Sequence, residues 1–309
     1  MYPRLIDVGH FALPTYGVMA ALGLICGLTL IVHLGRRQGL DPEKLWNLGI
    51  IAVLSGIIGA KVLYIFNELG YYREHPSELL SLSTLQAGGV WSGGVVLALI
   101  MCIWYMRKND LPILRTCDVF APGLALGHAF GRMGCFAAGC CYGRETHVPW
   151  AVTFHNPLAN EIVGTPLNVP LHPTQLYEMV VELANCLFLV WLIKRKKFEG
   201  EILGTYLIIY GTARYFIEFF RGDPGRGQLI GFMTTTQAIS LLLVIGGGLL
   251  WTRRTPLRPA AELGGVRAPQ PLPAKLASTV RANVAECTPG AESDTAEVMK
   301  PNSRPLQPR

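Results

Sequence analysis

Residues 118–136 read Asp-Val-Phe-Ala-Pro-Gly-Leu-Ala-Leu-Gly-His-Ala-Phe-Gly-Arg-Met-Gly-Cys-Phe, and the fold turns on whether they cross a membrane. Hydropathy alone leaves the segment weak, because it is rich in Gly and Ala and carries Asp118, His128 and Arg132. Six stronger apolar runs flank it, at 16–34, 45–66, 90–106, 175–193, 203–220 and 234–251. Each is near the roughly 20 residues that span a hydrocarbon core. Basic residues decide the count. Arg36, Arg37 and Lys44 follow the first run; Arg107, Lys108 and Arg115 follow the third. Lys194, Arg195, Lys196 and Lys197 follow the run ending at 193, and Arg253, Arg254 and Arg258 follow the last. The other loops hold only Arg4, Arg73, Arg144, Arg221 and Arg226. Cytoplasmic loops concentrate Lys and Arg, and the alternation is regular only if 118–136 is itself a span. The sequence therefore predicts an all-α membrane protein of seven transmembrane helices, N-terminus outside and C-terminus in the cytoplasm.

Composition agrees. The 309 residues are 50% hydrophobic and only 16% charged, with a mean hydropathy of +0.34, whereas a soluble domain is about 25% charged. A wholly disordered chain is excluded. The net charge of +6 lies in short clusters between apolar runs rather than in a stripe beside aromatics. That distribution fits membrane topology and not a nucleic-acid partner. Met1–Gly17 lacks a basic segment followed by an apolar core and cleavage site, so no cleaved signal peptide is read. Loops 67–89 and 137–174 are expected to build a small extracytoplasmic cap. The second, with Pro149, Pro157, Pro166, Pro170 and Pro173, reads as irregular loop with short strands. Residues 1–251 form the expected transmembrane domain. From 252 to 309 there are nine prolines and no Phe, Trp or Tyr, which predicts a disordered cytoplasmic tail. No internal repeat supports an inverted-repeat transporter.

Ionisable residues inside spans are costly and mark function by default. Here they are Lys61, Asp118, His128, Arg132, Glu178, Glu182, Arg214 and Glu218. His128, Arg132 and Cys135 fall at i, i+4 and i+7, on one helix face. Glycines at 127, 131, 134, 139 and 143 leave room for a backbone or a lipid head group. An arginine near a helix's outer end can grip a phosphate bidentately; the plainer alternative is a small-residue packing face with a snorkelling arginine. Tyr210, Arg214, Glu218 and Arg221 share a face of the sixth helix. Two arginines there outnumber one carboxylate, and the surplus asks for an anion, although Arg214–Glu218 also reads as a structural ion pair. The stretch Leu171-His-Pro-Thr-Gln-Leu-Tyr-Glu178 opens the fifth helix with Pro173 in its first turn. It sets Thr174, Gln175, Tyr177 and Glu178 at the outer interface, where His172 is a base or, more plainly, a hydrogen bonder. Of eight cysteines, Cys135, Cys140 and Cys141 cluster in sequence. Outside the cytoplasm Cys135 is expected to pair with one of the other two. Metal ligation with His128 is the lesser alternative, because the spacing matches no standard zinc motif, and no metal is expected.

At three stretches the sequence resembles the prolipoprotein diacylglyceryl transferase family. They are Gly131-Arg132 through Gly143-Arg144, His172-Pro-Thr-Gln-Leu-Tyr-Glu178, and Tyr210-Gly-Thr-Ala-Arg-Tyr-Phe-Ile-Glu-Phe-Phe-Arg221. Tyr16-Gly17, Asp118 and Gly227-Gln228 support the likeness, which covers roughly residues 12–251. The resemblance implies transfer of the diacylglyceryl group from phosphatidylglycerol to the thiol of the lipobox cysteine of a signal-peptide-bearing prolipoprotein. Glycerol phosphate is released, the setting is the bacterial inner membrane, the partners include membrane lipid, and no cofactor is involved. Attack at an sp³ carbon needs a thiolate, and a free thiol has a pKa of about 8.5. The departing phosphate gains charge, so arginines aimed at it favour the transition state. By the same resemblance Arg132 binds phosphatidylglycerol, Gly143 is an essential glycine, and Tyr210, Arg214 and Glu218 are the essential set on helix six. Tyr16, His172, Gln175 and Arg221 are implied at the substrate.

Three positions depart from the family's pattern. Ser92, in Val90-Trp-Ser-Gly-Gly94, stands where the family usually carries a histidine, its favoured base. Cys135 replaces an asparagine and Cys140 a glutamate. His128, one turn from Arg132, is expected to take over as base. A related lipid-modifying enzyme with another acceptor or head group is the first alternative, and a non-catalytic membrane binding protein the second. Charges crowding the outer halves of helices four and six speak against the second.

Overall fold

The computed structural model describes residues 3–8, 11–80, 89–222, 228–230 and 233–257. A long helix lies on each of the seven apolar runs: α1 (Thr15–Arg37), α2 (Pro42–Asn67), α4 (Trp91–Lys108), α5 (Ile113–Ala138), α7 (Thr174–Leu192), α8 (Glu201–Ile217) and α9 (Thr235–Arg253). Two short helices, α3 (Leu69–Glu74) and α6 (Pro157–Val163), lie in the connections. The ends of α7 and α8 tighten into 3₁₀ turns, Ile193–Arg195 and Glu218–Phe220. A further 3₁₀ helix, Pro76–Leu80, and three antiparallel strand pairs complete the described elements: β1 (Arg4–Val8) with β2 (Phe11–Pro14), β3 (Val152–Thr153) with β4 (Pro170–Leu171), and β5 (Gln228–Ile230) with β6 (Met233–Thr234).

Among the described residues, four helices are long and apolar enough to cross a membrane: α1, α2, α7 with its 3₁₀ extension, and α9. Ile25, Leu54, Ile58, Val96, Leu187 and Leu242 are each more than half exposed. Apolar side chains turned outward in this way suit lipid, and the chain is a mostly helical membrane protein. α5 and α8 carry the charges instead, and α5 packs against α1, α7 and α8. The α1–α5 contact is made by glycine. A Cβ on Gly27 would lie 2.8 Å from the Gly123 carbonyl oxygen, and one on Gly23 2.9 Å from that of Gly127. Two small-xxx-small pairs thus bring the backbones together.

At the basic end of the bundle Leu28, Ile31, Leu34, Leu45, Val119, Leu189, Ile193 and Ile202 form an apolar core. Buried Asp118 sits in a polar lattice beside it. Its carboxylate accepts from Lys196 Nζ at 3.2 Å, Gly200 N at 2.8 Å and Leu203 N at 2.9 Å. Two donors at the start of α8 that have no partner within the helix are thereby satisfied. Lys196 also pairs with Glu199 at 2.9 Å, and Arg115 Nε donates to Glu199 at 2.8 Å. Asp118 is therefore a structural cap, which corrects its reading as a functional charge. At a rise of 1.5 Å per residue it lies about 21 Å along α5 from Arg132.

Two loop expectations change. The 137–174 segment contains a helix as well as the β3–β4 pair, because Asn156 Oδ1 accepts from Leu158 N at 3.0 Å and Pro157 fits the first helical position. The expected tail boundary at 251–252 falls inside α9, and Glu199 N donates to Thr255 O at 2.8 Å beyond it. The disordered-tail reading from residue 258 on, with Arg258 and Cys287, lies outside the described residues, as do Arg226 and Gly227.

Candidate active site

Three helices converge on one carboxylate. Glu178, in the first turns of α7, is buried. Its Oε1 lies 3.0 Å from Arg132 Nη2 on α5, 3.4 Å from His128 Nε2 on α5 and 3.8 Å from Arg214 Nε on α8. The two arginines predicted to hold an anion therefore point at the same atom. The i, i+4 spacing of His128 and Arg132 places them one above the other, and Arg132 Nε donates to His128 Nε2 at 3.1 Å. That bond makes Nε2 the lone-pair nitrogen of the ring and puts the proton on Nδ1. Nδ1 faces Glu182 Oε1 at 4.0 Å. Arg214 Nη1 also reaches Glu218 Oε2 at 2.9 Å, and Thr234 Oγ1, at the start of α9, donates to Glu218 Oε1 at 3.1 Å. The Tyr210 ring meets the His128 imidazole edge-on at 5.4 Å and stacks on Tyr206 at 5.8 Å. All four catalytic expectations, His128, Tyr210, Arg214 and Glu218, thus join Arg132 in one cluster.

The expected surplus of positive charge is not there. Counting one helix face missed the carboxylates that α7 supplies, Glu178 and Glu182, both buried. Both stand among the charges that the sequence places inside spans, and their i, i+4 spacing in an apolar run puts them on one face, but the sequence does not tell which neighbouring helices that face meets. Both Glu182 oxygens are buried without a hydrogen bond, and so are the Asn185 side-chain atoms one turn further on. Buried polar groups of this kind normally find water or a ligand.

The remaining substrate-site expectations form the rim. Gly143 N donates to His172 O at 2.9 Å and Arg144 N to Phe220 O at 2.8 Å, so a strap joins the loop after α5, the strand before α7 and the end of α8. Arg221 lies opposite Gly143 in an isolated bridge, and its carbonyl accepts from Arg144 Nε at 3.1 Å. His172 packs its ring on Phe220 at 5.2 Å, and its Nδ1 is 3.1 Å from Tyr177 Oη. Gln175 Nε2 donates to Cys140 O at 2.7 Å and Thr174 Oγ1 to Cys141 O at 2.8 Å. Gln175, His172 and Gly143 thus fix the loop in the first instance. Tyr16, half exposed at the start of α1, lies against Gly134, where a Cβ would come 3.2 Å from its ring. Of the five glycines expected to make room, Gly131 is the one whose Cβ would meet nothing within 4 Å, so no packing contact explains it. Ser92 is exposed on α4.

Cys135, Cys140 and Cys141 are all free, which corrects the expected disulfide. Their sulfurs nevertheless lie within 4.8 Å of one another. Hydrogen bonding with the Cys135 and Cys140 thiols, with help from Arg221 and Arg132, holds the Cys141 thiol well below its ordinary range.

The chain matches the family model described as prolipoprotein diacylglyceryl transferase over residues 3–253. It is 39% identical over 240 residues to phosphatidylglycerol–prolipoprotein diacylglyceryl transferase 2 of Clostridium perfringens, covering 77% of this chain and 89% of the relative. It is 35% identical over 248 residues to the phosphatidylglycerol–prolipoprotein diacylglyceryl transferase of Clostridium tetani, covering 80% and 95%. The protein of the same description from Finegoldia magna is 33% identical over 237 residues, covering 76% and 88%.

Proposed function

The chain belongs to the prolipoprotein diacylglyceryl transferase family, and from that premise we propose that it moves the diacylglyceryl group of phosphatidylglycerol onto the lipobox cysteine of a prolipoprotein, releasing glycerol phosphate. The observation that carries the reading is the convergence of Arg132 and Arg214 on Glu178 Oε1. Two guanidinium groups from neighbouring helices are held in place before any anion arrives. A phosphate monoester gains charge as it leaves, and preorganised donors stabilise that change without reorganising.

His128 supports a specific order of events. While Arg132 Nε donates to Nε2, the imidazole lone pair is engaged. A phosphate that draws the Arg132 guanidinium to itself releases Nε2. The thiol proton then passes to Nε2, the sulfur forms its bond to the glycerol carbon, and the electron pair of the breaking C–O bond goes to the phosphate oxygen. Glu182, facing Nδ1, steadies the resulting imidazolium. Glu218 and Tyr210 hold Arg214 and His128 in position, and Tyr16 and Arg221 line the approach.

The same reading sets the chain as seven spans in the bacterial inner membrane, N-terminus outside, with the cluster at the outer leaflet beneath a cap to which residues 137–174 contribute; residues 81–88 of the expected cap lie outside the described residues. The reading is supported by Arg36, Arg37, Lys194, Arg253 and Arg254, which sit at or just past the ends of helices or their 3₁₀ extension, the other ends of which carry or adjoin the site residues. The test is direct. Purified protein in phosphatidylglycerol vesicles is given a lipobox peptide and the diacylglyceryl mass increment is measured. We expect the increment from the wild type, its loss in Arg132→Ala and a fall of about 10²–10³-fold in Arg132→Lys, which cannot bind bidentately. No increment from the wild type overturns the assignment. Undiminished transfer by His128→Gln removes that residue as base while leaving the phosphate site intact.

A further inference from the structure

We propose that Cys135, Cys140 and Cys141 form a three-thiolate site for a soft metal ion of the Cu(I) class, at the rim of the arginine cluster. The three sulfurs already lie within 4.8 Å of one another, so one ion could touch all three. The backbone is shaped to bring them there. Gly139 ends α5 in the left-handed region, at φ +88°, and its N–H returns to Cys135 O. This cap turns the chain so that Cys140 folds back over Cys135, in the last turn of the helix. Cys141 is itself left-handed, at φ +60°, a conformation that non-glycine residues adopt only at a cost. The carbonyls of both loop cysteines are then clamped from α7, Cys140 O by Gln175 and Cys141 O by Thr174, each side chain being about 1% exposed. Thiols on a loop fixed in this way lose little freedom on binding an ion.

The donor set selects the ion. Three sulfurs and no carboxylate suit a thiophilic d¹⁰ ion and not Mg²⁺ or Ca²⁺, which take oxygen. Structural zinc sites are four-coordinate, and the described residues bring together three sulfur ligands here and no fourth His, Cys, Asp or Glu within the cluster. Three thiolates around a monovalent ion carry a net charge of −2. Arg132 and Arg221 lie close enough to act electrostatically on these cysteines and offset it. The metal site does not depend on the transfer reaction.

The test uses the full chain in detergent, anaerobic and reduced with ascorbate, titrated against the coloured Cu(I)–bicinchoninate complex. One equivalent of Cu(I) per chain is expected to leave the chelator. Cys140→Ser and Cys141→Ser should each weaken that transfer at least tenfold. Cys186→Ser, a buried cysteine on α7 outside the cluster, should keep it, and matching thermal unfolding of the three variants shows that all are folded. The proposal is overturned if wild type leaves the chelator's colour unchanged, as it would if two of the three thiols were locked in a disulfide. It is equally overturned if the Cys140 and Cys141 variants take up copper like wild type, or if equimolar Zn(II) displaces the bound Cu(I).

Discussion

Replacing Gly143 by alanine tests the strap that carries the rim of the site. The backbone φ of Gly143 is not positive, so the demand for glycine comes from contact. A Cβ there would stand 2.5 Å from His172 Cβ, 2.5 Å from His172 O and 2.8 Å from Phe220 O. Ordinary contacts lie near 3.5–4.0 Å, so about 1 Å must open. The two oxygens are the acceptors of Gly143 N at 2.9 Å and Arg144 N at 2.8 Å. Relief of the clash therefore stretches both bonds beyond useful length. Two hydrogen bonds at about 1 kcal/mol each and about 1–3 kcal/mol of overpacking give roughly 3–5 kcal/mol, concentrated in the segments that hold His172, Gln175 and Arg221. A misplacement of about 1 Å near a reacting centre costs on the order of 10²-fold in rate. The peptide mass-increment assay should show that loss in Gly143→Ala, with a lowered unfolding temperature in detergent. Gly246→Ala on α9 is the control, because a Cβ there meets nothing within 4 Å. Transfer by Gly143→Ala within about threefold of wild type would refute the argument that this strap positions the site.

Other perturbations separate the charges. Glu178→Gln should destabilise the fold by up to about 3 kcal/mol, read as a shift in thermal unfolding, because it leaves the half-buried Arg132 beside a neutral amide, while Arg214 keeps Glu218. Asp118→Asn should lower stability by a similar amount through Lys196 and the start of α8, yet leave the KM for phosphatidylglycerol unchanged, since it lies about 21 Å along α5 from Arg132. Burial raises the Glu199 carboxyl, but hydrogen bonds from Arg115 and Lys196 win and hold it below the ordinary 4.5. A depressed folded-state pKa adds stability that is full above about 4.5 and fades as pH falls through the folded value. Glu199→Gln should therefore unfold earlier than wild type at pH 7, with the gap closing as the pH is taken down past the ordinary carboxyl value of 4.5 in a series of denaturant titrations.

Helix positions were the most legible part of the sequence. Runs at 45–66 and 175–193 match α2 and α7 to within three residues at each end, since lipid length and basic flanks leave little freedom. The faint segment at 118–136 is α5, faint because it carries both the site and the lattice at the basic end. His128, Arg132, Tyr210, Arg214 and Glu218 were readable from helical spacing and motif. Glu178 was visible as a charge but not as the hub, because its role depends on which helices adjoin α7, and no periodicity reports that. Asp118 misled for the same reason: a buried carboxylate that binds a ligand and one that caps a neighbouring helix look alike in one dimension. Helix α6 was hidden among the prolines of the 137–174 loop, one of which, Pro157, starts it.

The glycine seam between α1 and α5 bears on how a phospholipid can arrive. With the carbonyls of Gly123 and Gly127 in near contact with the opposing backbone, there is no gap wide enough for a hydrocarbon tail. Traffic from the bilayer must pass on another flank of α5, and substitutions that slow lipid entry without weakening phosphate capture should map away from that seam.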